Sequence, residues 1–175
     1  MITLTLKEQP AVPLEAEMIC PDVMATLSHD AIRELPVFLG KRQRRLDDFF
    51  EVEGSASDEI AIRGDAAKVK WIGRRMTRGR IAIAGNAGMH LGAYMKGGTI
   101  EVSGNVSDWL GGEMSGGFIR VLGNAGGQIG AAYRGSLSGK SATIYAKTAI
   151  TATHRCISAG SSLSIVSASV WWNQK

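Results

Sequence analysis

Residues 79–135 read GRIAIAGNAGMHLGAYMKGGTIEVSGNVSDWLGGEMSGGFIRVLGNAGGQIGAAYRG and hold most of the 22 glycines in the chain. Three phrases line up in it: GNAGMHLG, GNVSDWLG and GNAGGQIG. They begin at Gly85, Gly104 and Gly123, nineteen residues apart each time. Other positions keep the same beat. Gly73, Gly92, Gly111 and Gly130 form one series, and Met76, Met95, Met114 and Tyr133 another. Gly79, Gly98 and Gly117 form a further one, continued by Ser136. Gly88 and Gly126 mark a second glycine in the phrase, where the middle copy has Ser107. An earlier copy, IAIRGDAAKVKWIG, puts Gly64 in the marker position and carries two more residues before Gly73.

Such a unit has a specific physical reading. IAIAG, TIEVSG and FIRVLG alternate apolar and other residues with period two, the pattern of short strands. Each ends at a glycine, where the chain must turn sharply or take a positive φ. A strand of this length cannot bury its face alone, so successive units stack and pair in parallel, like side chain above like. Corner glycines leave room between rungs that a Cβ would fill. Met76, Met95 and Met114 are expected to form an inward ladder that fills space adaptably. The fold expected is mainly β: a right-handed parallel β-helix of ~19-residue Gly-rich rungs with a small N-terminal α/β arm.

The flanks differ. Residues 1–57 carry no repeat and read as an arm or cap. In this segment ITLTL alternates like a strand. LSHDAIRELP reads as a short helix with Ser28 as N-cap and Pro36 as its stop. The basic run of LGKRQRRLDDFFEVEG passes into acids. Residues 58–139 hold the repeats. Residues 140–175 are rich in Ser, Thr and Ala and end near Trp171 and Trp172. Counting forward by nineteen places the next marker at Ala142 and the next corner at Ala149, so the beat is lost. That tail reads as irregular rungs, a cap over the open end, or a non-native ending.

Composition narrows the function classes. Aromatic residues are 6% and hydrophobic ones 45%, which suits thin layers of Ile, Val, Ala and Leu rather than a bulky core. Two cysteines, Cys20 and Cys156, without CxxC spacing, exclude a disulfide framework and a structural zinc site, and read as free thiols. The N-terminus lacks a signal-peptide pattern and no apolar run reaches about 18 residues, so the expectation is a cytoplasmic protein without a membrane partner. The net charge is +4. Lys68, Lys70, Arg74, Arg75, Arg78 and Arg80 cluster in KVKWIGRRMTRGR, a candidate contact for an acidic partner or an anionic carrier. One tryptophan, Trp71, among these cations falls short of a nucleic-acid surface, and no nucleic-acid partner is expected.

Catalytic patterns fail on inspection. GSLSGKS has three residues between its glycines where a phosphate loop needs four. Its central Leu137 also rules out a nucleophile elbow. GNAGGQ lacks the spacing and acidic residue of a dinucleotide site. His29, His90 and His154 are far apart, and His90 reads as a packing residue at a rung corner. Asp108 and Glu113 are near in sequence, but no cluster of acids marks a glycosidase or lyase face. No catalytic, cofactor or metal residue is expected on this chain.

The repeated G-x-x-G-x-x-x-G, standing as Gly85, Gly88, Gly92 and again as Gly123, Gly126, Gly130, resembles the C-terminal β-helix domain of the glutamate synthase large subunit. With LGKRQRRLDDFFEVEG and the run from Trp71 to Gly139, the chain more closely resembles the C subunit of formylmethanofuran dehydrogenase. The bacterial form of that family belongs to a formyltransferase/hydrolase complex. The resemblance covers residues 35–139 and implies a scaffold in one-carbon metabolism, where formaldehyde is oxidised to formate. It also implies formyltransferase and amidohydrolase-like companion subunits that hold a methanofuran-type carrier, tetrahydromethanopterin and any metal. The polyglutamyl tail of such a carrier is one anion the basic run could meet. A glutamate-synthase-type spacer and a carbohydrate-active β-helix are the alternative readings.

Overall fold

The computed structural model describes residues 1–131, 142–151 and 163–167. Tyr133, Ser136, Leu137, Gly139, His154, Cys156, Trp171 and Trp172 lie outside the described residues. The chain opens with β1 (Ile2–Leu6) and β2 (Leu14–Glu15), then the short helices α1 (Pro21–Met24) and α2 (His29–Arg33). The hairpin β3 (Pro36–Leu39) and β4 (Arg42–Arg45) follows, then a 3-10 turn (Leu46–Asp48) and β5 (Phe50–Glu53). Next come β6 (Glu59–Arg63), β7 (Val69–Lys70), β8 (Arg80–Ala84), β9 (Lys96–Val102), β10 (Gly116–Gly127), β11 (Ala142–Thr151) and β12 (Leu163–Ser167).

The repeats fold as a parallel β-solenoid. In the main sheet β6, β8, β9, β10, β11 and β12 run side by side in parallel. Alternation decides which face is buried. Ile60, Ile81, Ile100, Ile119 and Ile144 stack inward as one ladder, and Ile62, Ile83, Val102, Val121 and Ala146 as a second. At the next side of the coil Ala66, Ala87, Val106 and Ala125 pair through isolated bridges. Met76, Met95 and Met114 are at most 2% exposed, inside the rungs.

The beat changes after β10 without ending the stack. Ile119 pairs with Ile144, twenty-five residues on, and Ile144 with Ile165, twenty-one on. Counting by nineteen misplaced the register. Ala142 opens a strand, and Ala149 pairs with Ala125 rather than marking a corner. The strand pairing selects where an isoleucine meets an isoleucine, and the intervening length is free to vary.

The first fifty-odd residues share this sheet and its core. β1 pairs in parallel with β6, and β5 then pairs antiparallel with β1. Ile2, Leu4, Ile19, Met24, Ile32 and Phe50 join the same hydrophobic cluster as the ladders. Helix α2 starts where Ser28 Oγ accepts the Ala31 N–H at 3.3 Å. Its first residue, His29, places Nε2 3.0 Å from the Val52 carbonyl, covering the outer edge of β5. α1 is held to the coil by Asp22, whose carboxylate accepts the Thr77 N–H at 2.8 Å and the Thr77 hydroxyl. A second, four-stranded sheet runs β4-β3-β2-β7 and carries the arm along another side of the solenoid.

Glycine serves two different needs. At Gly73, Gly92, Gly111 and Gly130 φ lies between 62° and 68°, the left-handed region. The marker glycines are another matter. Gly85 has φ 144°, a conformation that favours glycine, but Gly104 and Gly123 have no positive φ, so conformational freedom does not explain those two. A Cβ on Gly104 would sit 2.5 Å from the Gly85 carbonyl oxygen and 2.6 Å from Asn86 Oδ1. Rung stacking alone excludes the side chain there. Gly104→Ala is therefore expected to cost about 1–3 kcal/mol through forced separation of backbone. Thermal unfolding would show this as a drop of about 2–4 °C per kcal/mol; an unchanged Tm would mean that the rungs are not in contact at this corner.

Candidate interaction surface

Two columns of non-glycine residues hold positive φ on the solenoid's outer corners, and both keep the nineteen-residue beat. Trp71, His90, Trp109 and Gln128 have φ between 59° and 66°, and Arg75, Tyr94 and Glu113 between 59° and 60°. The hydrogen bonds show what the strain achieves. The non-glycine left-handed residues donate to the following rung: His90 N–H reaches Asp108 O at 3.1 Å and Tyr94 N–H reaches Gly112 O at 2.8 Å. Their neighbour Gly92 donates to the preceding rung, at Ile72 O. Each rung is thus tied on both sides.

A left-handed L-residue costs about 1–2 kcal/mol. The rings offset much of that. Trp71 and His90 stack with centroids 4.0 Å apart and planes 5° from parallel, and His90 and Trp109 stack at 6.0 Å. Such pairs contribute about 0.5–1.5 kcal/mol beyond burial. The Arg74 guanidinium lies over the Trp71 ring, 4.7 Å from its centroid, and 5.6 Å from that of Tyr94. Arg75 lies 6.0 Å from Tyr94. Arg74 also forms an ion pair with Glu17 of the arm.

The six cations of the basic run do not form one patch. Lys70, Arg74 and Arg75 gather at the aromatic corner, with Lys70 and Arg74 close enough to act on His90. Lys68 turns instead to the Ala11 carbonyl at 3.3 Å. Arg78 sits near Asp22 of α1. Arg80 is on the outward face of β8, in an ion pair with Glu101. Corner geometry divides them: a rung turns between Lys70 and Arg80, so residues adjacent in sequence point from different sides.

The carboxylates are divided as well. Glu101 lies on the outward face of β9 between Arg80 and Arg120. Asp108 Oδ1 accepts the Gly127 N–H at 2.7 Å. Glu113 is 4% exposed. Three separate environments do not make the facing carboxylate pair that glycoside chemistry needs. Among the described residues, no group of three His, Cys, Asp or Glu side chains could hold a metal ion. Cys20 is buried and its thiol is pushed up to about 11, chiefly by burial, which suits a packed residue and not a nucleophile. No helix among the described residues is long and apolar enough to cross a membrane.

A further ladder was hidden in the G-N pairs of the repeat. Asn86 Oδ1 accepts the Asn105 N–H, and Asn105 Oδ1 accepts the Asn124 N–H, each at 2.8 Å. Asn86 in turn donates to Asp65 Oδ1 at 3.1 Å. The outward face of the main sheet completes the surface. It carries the Arg80–Glu101–Arg120 network, the exposed Leu122 and the Phe118–Tyr145 ring pair, 5.8 Å apart.

The aromatic corner makes stability depend on pH. Burial first, then Lys70 and Arg74, hold the His90 pKa below its usual value. The folded state thus favours neutral imidazole. This contribution is complete above the unfolded value of about 6.5 and is lost as pH falls below it. Thermal unfolding of the wild-type chain between about pH 7 and about pH 5 should show a loss of Tm that His90→Asn reduces. Identical slopes for the two proteins would remove His90 from the account.

No protein-family model matches the chain. The C subunit of the tungsten-containing formylmethanofuran dehydrogenase 2 of Methanothermobacter marburgensis is 46% identical over 97 residues, 53% of this chain and 36% of that protein. The C subunit of the molybdenum-containing formylmethanofuran dehydrogenase 1 of Methanosarcina barkeri is 42% identical over 95 residues, 51% of this chain and 32% of that one. Among solved structures, a chain of the formyltransferase/hydrolase complex (FhcABCD) from Methylorubrum extorquens, in complex with methylofuran, superposes with a TM-score of 0.78 at 30% identity. That match covers 84% of this chain and 56% of the solved one. The chain therefore spans about a third of the length of these curated relatives and just over half of the solved chain. Over the part that matches, its sequence is similar to the C subunit of formylmethanofuran dehydrogenase, and its β-solenoid is the fold of a chain in the formyltransferase/hydrolase complex.

Proposed function

We propose that this chain is a scaffold subunit of a cytoplasmic formyltransferase/hydrolase complex of the formylmethanofuran dehydrogenase type. The observation that carries the reading is a regularly stacked solenoid, similar to the C subunit of such enzymes. In this reading the chain does no chemistry. Its parallel strands hold outward side chains at fixed spacing, so that companion subunits dock in fixed relation. Formyltransferase and amidohydrolase-like companions bind the methanofuran-type carrier, tetrahydromethanopterin and any metal. They move a formyl group between carriers and release it as formate, the last step in oxidising formaldehyde. The relatives named above favour this over a glutamate-synthase-type spacer.

Mild affinity purification of the tagged chain from its native cell tests the proposal directly. Formyltransferase and amidohydrolase-like polypeptides should accompany it in fixed ratio, and mass spectrometry would identify them. The isolated chain should neither transfer nor hydrolyse a formyl group. Turnover by the isolated chain, or purification without companions, would overturn the scaffold reading.

A further inference from the structure

The outward face of the main sheet is made like an interface, and over β6, β8, β9 and β10 it forms an open groove. Parallel sheets are usually covered on both faces. Here the inner face packs the isoleucine ladders, while the outer face presents Ala61, Ala82 and Ala84 as the floor of a groove of about 330 Å³. Leu122, 53% exposed, stands at its rim, and Tyr145 is exposed beyond it against Phe118. Arg63 and Arg120 also line the groove. Exposed aliphatic and aromatic side chains interspersed with arginine are the composition of an interface centre.

Charge decides what would cover this face. Among the residues that line the groove, Glu101 is the one carboxylate against Arg63 and Arg120; Arg80 lies beside Glu59 as well as Glu101, and Arg63 makes no ion pair among the described residues. The groove therefore has positive charge to spare. A second copy related by a two-fold axis would set this same surface against itself and oppose arginine to arginine. A small ligand would stay largely in water, since the groove lies open on a sheet surface, whereas small-molecule sites enclose most of their ligand. A polypeptide can span it.

We propose that this face docks a companion subunit, through an element that lays apolar side chains on the Ala61–Ala82–Ala84 floor and sets carboxylates opposite Arg63 and Arg120. The assignment rests on the subunit reading above and names the surface that reading needs. All of the contributing side chains stand on strands, so little backbone freedom is lost on docking. Ala82 is the central position. It points outward between Ala61 and Glu101 in the strand register, so a larger side chain there fills the groove without entering the core.

The test uses the tagged full chain expressed in its native cell and purified with its companions. Four forms are compared: wild type, Ala82→Arg, the double variant Arg63→Glu/Arg120→Glu, and Arg44→Glu on the distant edge strand β4 as a control. Ala82→Arg should recover companions about tenfold less well or worse. The double variant should lose them most at low salt. Arg44→Glu should match wild type, and all isolated variants should unfold within a few degrees of wild type. Ala82→Arg that is folded and keeps its full set of companions would overturn the assignment. So would a dimer of the isolated chain that Ala82→Arg breaks, which would make a second copy the occupant. A wild-type chain that brings no companions would overturn the subunit reading itself, and this assignment with it.

Discussion

Backbone hydrogen bonding between stacked rungs, at a spacing of about 4.8 Å, is the constraint from which the rest of this molecule follows. At that distance identical positions in successive rungs touch. An inward isoleucine meets an isoleucine, an asparagine amide caps the next asparagine's backbone, and a Cβ at Gly104 would strike the carbonyl below. The repeat in the sequence is thus the imprint of a contact each residue makes with its own copy. Non-glycine residues with left-handed backbone tie each rung forward while the corner glycines tie it back, and stacked rings offset the strain.

The fold was legible because this contact acts at a fixed period. Glycine, methionine and the short alternating strands all kept the beat, and the structure has them in one stack. Two things escaped. The register after β10 was lost to counting, since a corner can lengthen while Ile119 and Ile144 still pair. The column Trp71, His90, Trp109, Gln128 was equally periodic, but three different residue types hid it. What they share is a backbone conformation and a flat ring or amide, and composition does not display either. The basic run differs in the opposite way: six cations close in sequence are divided by the turning of one rung.

The surface was less legible for a reason particular to solenoids. Every rung shows its outward side chains on several sides, and the period alone does not say which side a partner would choose. Only the strand register brings Arg63, Ala84 and Leu122 into one neighbourhood from β6, β8 and β10. The acids were separated by the same geometry. Glu101 went to a sheet face, Asp108 to a turn and Glu113 to a buried place at a corner.

The reversal at β5 has a consequence for growth. A stack of parallel rungs has no intrinsic stopping point, because each edge repeats the donors and acceptors of the one before it. β1 continues the parallel order, but β5 runs against it, and His29 occupies its Val52 carbonyl. An incoming parallel rung would meet a strand of opposite polarity with one of its edge acceptors already taken. The first fifty-odd residues thus act as a terminator. They give a one-dimensional fold a beginning, and they keep that edge from seeding fibres.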